Sequence, residues 1–199
     1  MSINKKILKR IQGHGRGYVF TPKDFLALGG RAAVDQTLSR LTRRGVIRRL
    51  DRGLYDYPRI STRLGPLSPA PGTVARAIAR RTDSKVQVSG ARAANALGVT
   101  DQVPAKLVYL TDGPSQIAQI GNQRIILKHQ SKKNLVGLDQ QTGLVFQAVR
   151  YLGKDNITDD VVQKLQSALT DQQRKSLLRD ATRATDWVRD RVAKIATAA

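Results

Sequence analysis

The chain has 199 residues, 40% of them hydrophobic, which is room for one ordinary domain or two small ones and enough apolar material for a packed core. Lys and Arg total 35 against 15 acids, a net charge of +20; such a balance points first to nucleic acid, with an anionic membrane surface or a merely solvated basic face as the blander readings. Cys and Glu are both absent, which excludes thiolate catalysis, disulfides and the Glu-dependent forms of acid–base and zinc chemistry.

In chain order, Ile3, Ile7, Leu8 and Ile11 recur at helical spacing, while Lys5, Lys6, Lys9 and Arg10 point away from that stripe. The start is basic but carries no apolar run of signal-peptide length, and nothing further on approaches a membrane span. The expectation is therefore a soluble cytoplasmic protein with no membrane partner. Gly13, Gly15 and Gly17 end the first helix, and "YVFT" reads as a short strand. Thr21-Pro22 then supplies a helix start, with Thr as the cap and Pro at the first position. The helix "PKDFLALG" is expected to bury Phe25, Leu26 and Leu28 and to stop at Gly29.

A third helix is predicted from Arg31 to Arg44, with Val34, Leu38 and Leu41 on its inner face. Its opposite face carries Arg31, Asp35, Gln36, Ser39, Arg40 and Arg43, and Gly45 closes it. "VIRRLDRGLYDYP" follows as two β-prone runs around Asp51-Arg52-Gly53, a hairpin ended by Pro58. Helix, strand, helix, helix, hairpin is the order of a winged helix-turn-helix. In that fold the third helix enters the major groove. Arg31, Gln36 and Arg40 become the candidates for base edges, because Arg pairs with guanine and Gln with adenine there. Ser39, Arg43, Arg44, Arg48, Arg49 and Arg52 become the candidates for phosphates. The alternative is that these arginines only solvate a surface helix. Tyr55 and Tyr57 share one face of the second strand and are assigned to the core rather than to base stacking.

Residues 61–73 hold three prolines and two glycines and read as a linker or extended strap. They divide the chain into residues 1–63, a winged helix-turn-helix domain of net charge +11, and residues 64–199, of net charge +9. The second part reads as mixed α and β. "TVARAIARRT" is a helix with Val74, Ala77 and Ile78 inward, and "KVQV" is a strand. Ser89 caps a small-residue helix suited to pack closely on a sheet, which residues 105–129 provide as three strand-like runs turning at Asp112-Gly113-Pro114 and Gly121-Asn122. From about residue 142 the chain turns helical: Leu144, Ala148, Val149 and Leu152 form a stripe, Thr158 caps a helix, and Thr170 with Gln173 has capping-box spacing. A last helix places Trp187, Val188, Val192 and Ile195 along one side. The fold class expected is α+β, an N-terminal winged helix-turn-helix followed by a mixed α/β domain with a helical C-terminal part.

Chemistry finds little support. His14 sits in a Gly-flanked turn and His129 at a strand end, with no ligand-like spacing, so no metal and no cofactor is expected. A restriction-nuclease arrangement around Asp112 and Lys128 needs an acid two residues before the lysine, where Ile126 stands. No phosphate-binding Gly-rich loop or nucleophile elbow appears. The protein is expected not to be an enzyme.

Two stretches carry a resemblance. "AVDQTLSRLTRRGVIRRLDRGLYDYPR" resembles the N-terminal domain of AbiEi-type antitoxins of type IV abortive-infection toxin–antitoxin systems, and residues 88–128 resemble the segment that follows the linker in those proteins. The resemblance implies a DNA-binding transcriptional autorepressor that binds inverted repeats in its own promoter, an arrangement that brings two copies to one site. It also implies a functional link to a nucleotidyltransferase toxin without a stable complex. The alternatives are an orphan winged-helix regulator without a toxin, and a non-regulatory module that binds RNA or structured DNA.

Overall fold

In the computed structural model, which describes residues 2–137 and 140–197, the chain is mixed α and β with a helical C-terminal part. It divides into two compact units. The first comprises Met1–Ser84 and Gln116–Ile126, the second Lys85–Ser115 and Leu127–Ala199.

The first unit begins with helix α1 (Ile3–Gly13), strand β1 (Val19–Phe20) and a 3-10 helix over Pro22–Leu28. Thr21 starts the 3-10 helix through a capping box with Asp24, whose carboxylate accepts the Thr21 N–H at 2.8 Å. The predicted α-helix here is thus a 3-10 turn, and only part of the expected burial holds. Phe25 is buried, but Leu26 is exposed, because the tighter winding turns it off the inner face.

Helix α2 (Arg31–Arg43) follows, burying Val34, Thr37, Leu38 and Leu41. Gly45 takes φ +67° directly beyond its end, which a residue with a Cβ adopts only with strain. Strands β2 (Arg48–Asp51) and β3 (Leu54–Asp56) form a hairpin in which Asp51 faces Leu54 across Arg52-Gly53. Gly53, at φ +67°, makes that two-residue turn feasible. Strand β1 adds to the other side of β3, giving an antiparallel sheet of order β1-β3-β2. The core joins Ile7 and Ile11 of α1, Phe20, Phe25, the apolar stripe of α2 and Ile47, with Tyr55 and Tyr57 packed against it. Phe20 sits at its centre, edge-on to Phe25 at 5.3 Å and stacked with Tyr55 at 6.2 Å.

The proline-rich stretch is not simply a linker. Strands β4 (Ile60–Ser61) and β5 (Gly65–Pro66) pair antiparallel, and the Leu67 N–H continues the ladder to the Arg59 carbonyl. Helix α3 (Pro71–Arg81) lies beyond this stretch but belongs to the first unit. Arg80 donates to the Val19 carbonyl at 2.8 Å and to Asp24 at 3.1 Å, and Lys23 donates to the Arg81 carbonyl and to Asp83. The sequence division at residue 63 follows the prolines; the contacts place the division after Ser84, because these bonds hold α3 to the preceding sixty residues. Strand β8 (Gln116–Ile120) and the beginning of β9 (Gln123–His129) complete this unit as a hairpin turning at Gly121-Asn122.

In the second unit, β6 (Val86–Val88) pairs antiparallel with β7 (Leu107–Thr111). The small-residue helix α4 (Gly90–Ala96) has helix α5 (Gln140–Leu152) as its chief partner, rather than the sheet. Gly90 and Ala93 are the reason: without bulk at these positions, the two backbones come close enough to bury Ala93 and Ala94 against Val145, Phe146 and Val149. Ser89 stands at the cap position of α4 without making a side-chain cap bond. Helices α6 (Asp159–Ser167), α7 (Asp171–Ala181) and α8 (Asp186–Thr197) close this core. Thr158 accepts from the Val161 N–H, and Thr170 with Gln173 forms a complete capping box. Trp187 packs at the edge of this core, and Val188, Val192 and Ile195 are fully buried in it.

Candidate functional site

The first unit holds 19 Lys and Arg against 5 Asp, so +14 of the chain's +20 lies in it. Its acids are nearly all committed. Asp24 pairs with Arg80, Asp83 with Lys23, Asp35 with Arg31 and Asp56 with Arg48. Asp51 accepts the backbone N–H of Arg52 at 2.6 Å. Among the described residues no carboxylate forms an ion pair with Arg40, Arg43, Arg44, Arg49 or Arg52. That surplus needs an anion from outside the chain or bulk solvent to balance it.

Helix α2 presents much of this surplus. At about 100° per residue, Ala32, Gln36, Ser39 and Arg43 fall within about 60° of one another, opposite the buried stripe; all four are exposed. Arg31 and Arg40 are exposed as well but flank this ridge on opposite sides, about 180° apart. The ridge of a helix of 13 residues is about 20 Å long. Small Ala32 and Ser39 leave room for close approach, and Gln36 and Arg43 project on either side of Ser39. Arg31 is further occupied: its Nε donates to Asp35 at 2.8 Å in an exposed i,i+4 pair, worth at most about 0.5 kcal/mol and readily exchanged. Arg40, Arg43 and Arg44 lie in the last turn or at the cap of α2, where their charge also suits the negative end of the helix.

The hairpin behind α2 separates its arginines into two groups. Arg49 and Arg52 are exposed, with Arg52 at the turn. Arg48 is turned inward. Its Nε and Nη2 donate to the two carboxylate oxygens of Asp56 at 3.1 and 2.6 Å, and its Nη1 and Nη2 donate to the carbonyls of Pro66 and Leu67 at 3.3 and 2.6 Å. Asp56 is fully buried, and this hydrogen bond raises the Arg48 pKa above its ordinary value. Arg48 therefore ties the hairpin to the proline strap, and each of its three nitrogens already donates within the chain. Of the nine arginine, glutamine and serine positions proposed from sequence, the fold gathers Gln36, Ser39, Arg40, Arg43 and Arg44 on one helix and Arg49 and Arg52 on the hairpin. It sets Arg31 at the margin and withdraws Arg48.

Ala32 escaped sequence reasoning because a small residue carries no charge signal; the helical wheel alone identifies it. Asp112, which the nuclease comparison singled out, accepts the Lys85 N–H at 2.7 Å. Among the described residues no three His, Cys, Asp or Glu gather as a metal site would require, and no helix is long and apolar enough to cross a membrane.

Residues 6–177 match the sequence family described as a family of unknown function, DUF6088. The chain belongs to DUF6088. No curated protein matches it. Among solved structures, this DUF6088 chain is similar to the crystal structure of the RV2827C protein from Mycobacterium tuberculosis. The identity is 15% and the TM-score 0.40, over 90% of this chain and 71% of that one.

Proposed function

We propose that the chain is a duplex-DNA-binding transcriptional repressor whose first sixty residues act as a winged helix-turn-helix. Helix α2 enters the major groove, and the β2–β3 hairpin lies on the flanking backbone as the wing. One observation carries the reading: the outward ridge of α2 and the hairpin behind it share one uncompensated positive sign. An α-helix about 10–12 Å across fits a groove about 12 Å wide. Gln36 and Arg43 are the base-edge candidates nearest the centre of the ridge, with Arg31 and Arg40 at its sides. Ser39, Arg44, Arg49 and Arg52 hold phosphates. The protein acts in the cytoplasm, at its own promoter.

The resemblance of residues 33–59 and 88–128 to AbiEi-type antitoxins supports the narrower reading of an autorepressor and type IV antitoxin. In that reading it binds inverted repeats and opposes a nucleotidyltransferase toxin without holding it in a stable complex. The second unit is also net positive, at +6, which favours as second reading a module that binds RNA or structured DNA through both units.

Fluorescence anisotropy on a duplex from the upstream region tests the proposal. Neutralising about six phosphates gives a slope of about −5 for log affinity against log salt. Joint Arg40→Ala and Arg43→Ala substitution weakens binding and, like Gln36→Ala, reduces the preference for the promoter over unrelated duplex. Unchanged binding in the double variant removes α2 from recognition, and preference for unrelated RNA over promoter duplex selects the second reading.

A further inference from the structure

The β8–β9 hairpin lies more than fifty residues beyond the proposed wing in sequence, yet residues Gln116–Ile126 belong to the first unit. Strand β2 is the edge of its own sheet, paired on one side only, with β3. Strand β8 runs close to that open edge without joining it. The segment 116–126, "QIAQIGNQRII", has no acid, one arginine and four carboxamides. Of its apolar residues, Ala118, Ile120 and Ile125 are buried and Ile117 is exposed, so the outward side carries Ile117 and Gln119 on β8 and Asn122 and Arg124 from the turn onward.

The carboxamides differ in what they are already doing. Gln116 accepts from Arg81 at 2.6 Å, and Gln119 donates to the Gly121 carbonyl at 2.7 Å, which stiffens the turn. Gln123 keeps a buried Oε1 without a partner. Asn122 at the turn and Arg124 beyond it have no side-chain hydrogen bond or ion pair among the described residues. A braced turn that exposes an amide beside an unpaired guanidinium, with no carboxylate nearby in the segment, suits a surface that carries phosphates and base-edge acceptors. Amide and guanidinium side chains are the groups that read the minor groove and hold its backbone.

We propose that this hairpin is a second DNA-contacting element, placed beside the wing, in which Arg124 holds a backbone phosphate and Asn122 reaches the minor groove flanking the site of α2. The inference rests on the duplex-binding reading above and lengthens its contact surface to a part of the chain far from it in sequence.

The test uses the full chain and a promoter duplex with at least one helical turn of flanking sequence on each side. Arg124→Ala reduces the slope of log affinity against log salt by about 1, and hydroxyl-radical footprints lose protection at the outer flank while keeping it at the centre. Arg124→Lys retains the slope, and Asn122→Ala shortens the footprint while leaving the slope unchanged. Both residues are exposed and unpartnered, so thermal melting of the variants stays that of the wild type. Wild-type binding that the Arg40→Ala/Arg43→Ala variant weakens, together with an unchanged slope and footprint in Arg124→Ala, overturns the hairpin while leaving α2 in the groove. No binding of duplex by the wild-type protein overturns both.

Discussion

Replacing Arg48 by Met separates a structural arginine from a DNA-binding one. The substitution keeps a long apolar stem but leaves the Asp56 carboxylate, fully buried, without its cation. Removing one partner of a buried pair costs about 3–5 kcal/mol. Arg48 itself retains 33% exposure of its side chain, so solvent screens part of the interaction and the expected loss is about 2–3 kcal/mol. The carbonyls of Pro66 and Leu67 lose a donor each, but these bonds are at the surface and water replaces them. With a urea slope of about 2 kcal/mol per molar, the unfolding midpoint falls by about 1–1.5 M. Urea denaturation followed by circular dichroism reads this shift. The double variant Arg48→Met/Asp56→Asn recovers part of the loss, since no charge is then stranded. In the duplex-binding reading proposed above, Arg48→Met below its unfolding transition keeps the wild-type salt slope. The opposite pair of results, an unmoved midpoint with a slope flatter by about 1, would place this guanidinium on a phosphate and refute the assignment.

Two further outcomes follow from particular contacts. A Cβ on residue 90 would stand 2.7 Å from the Gln147 carbonyl oxygen and 2.6 Å from the Tyr151 Cβ, so Gly90→Ala forces α4 off α5. It lowers stability by about 1–3 kcal/mol, seen as a lower melting temperature, and an unchanged melt would mean that this helix contact is looser than described. Burial, reinforced by the nearby Asp24 carboxylate and partly opposed by Arg80, raises the Tyr18 pKa above its ordinary 10.0. The neutral phenol is then favoured in the folded state, so its contribution to stability is intact below pH 10.0 and is lost as pH rises through the folded value. Urea midpoints between pH 8 and 11 therefore fall less steeply above pH 10 in Tyr18→Phe than in the wild type.

Local chemistry was legible wherever neighbours in sequence decide it. Thr21-Pro22, Thr158 and Thr170 with Gln173 begin their elements as their side chains require, because a cap bonds an N–H only two or three residues away. The stripe Val34, Leu38 and Leu41 fixed which face of α2 is buried, and hence that Gln36, Ser39, Arg40 and Arg43 face outward. Gly45 and Gly53 marked two of the places where the chain turns with positive φ.

Register and long-range packing were decided only by the fold. A regular ladder across the Arg52-Gly53 turn would set Arg49 opposite Asp56, but the register shifts between Arg49 and Asp51, and that shift brings Arg48 to Asp56 instead. One irregular residue in a strand exchanges the two faces of everything beyond it. It thus determined which of two adjacent arginines is buried in the scaffold and which is left outside. The same limit applies to α3 and the β8–β9 hairpin: their membership of the first unit rests on bonds such as Arg80 to Val19 and Arg81 to Gln116. No periodicity within either segment carries that information. The sequence determined the sign of the surface and the face that bears it; the tertiary structure decided which charges remain unpaired there, because pairing depends on residues that only folding brings together.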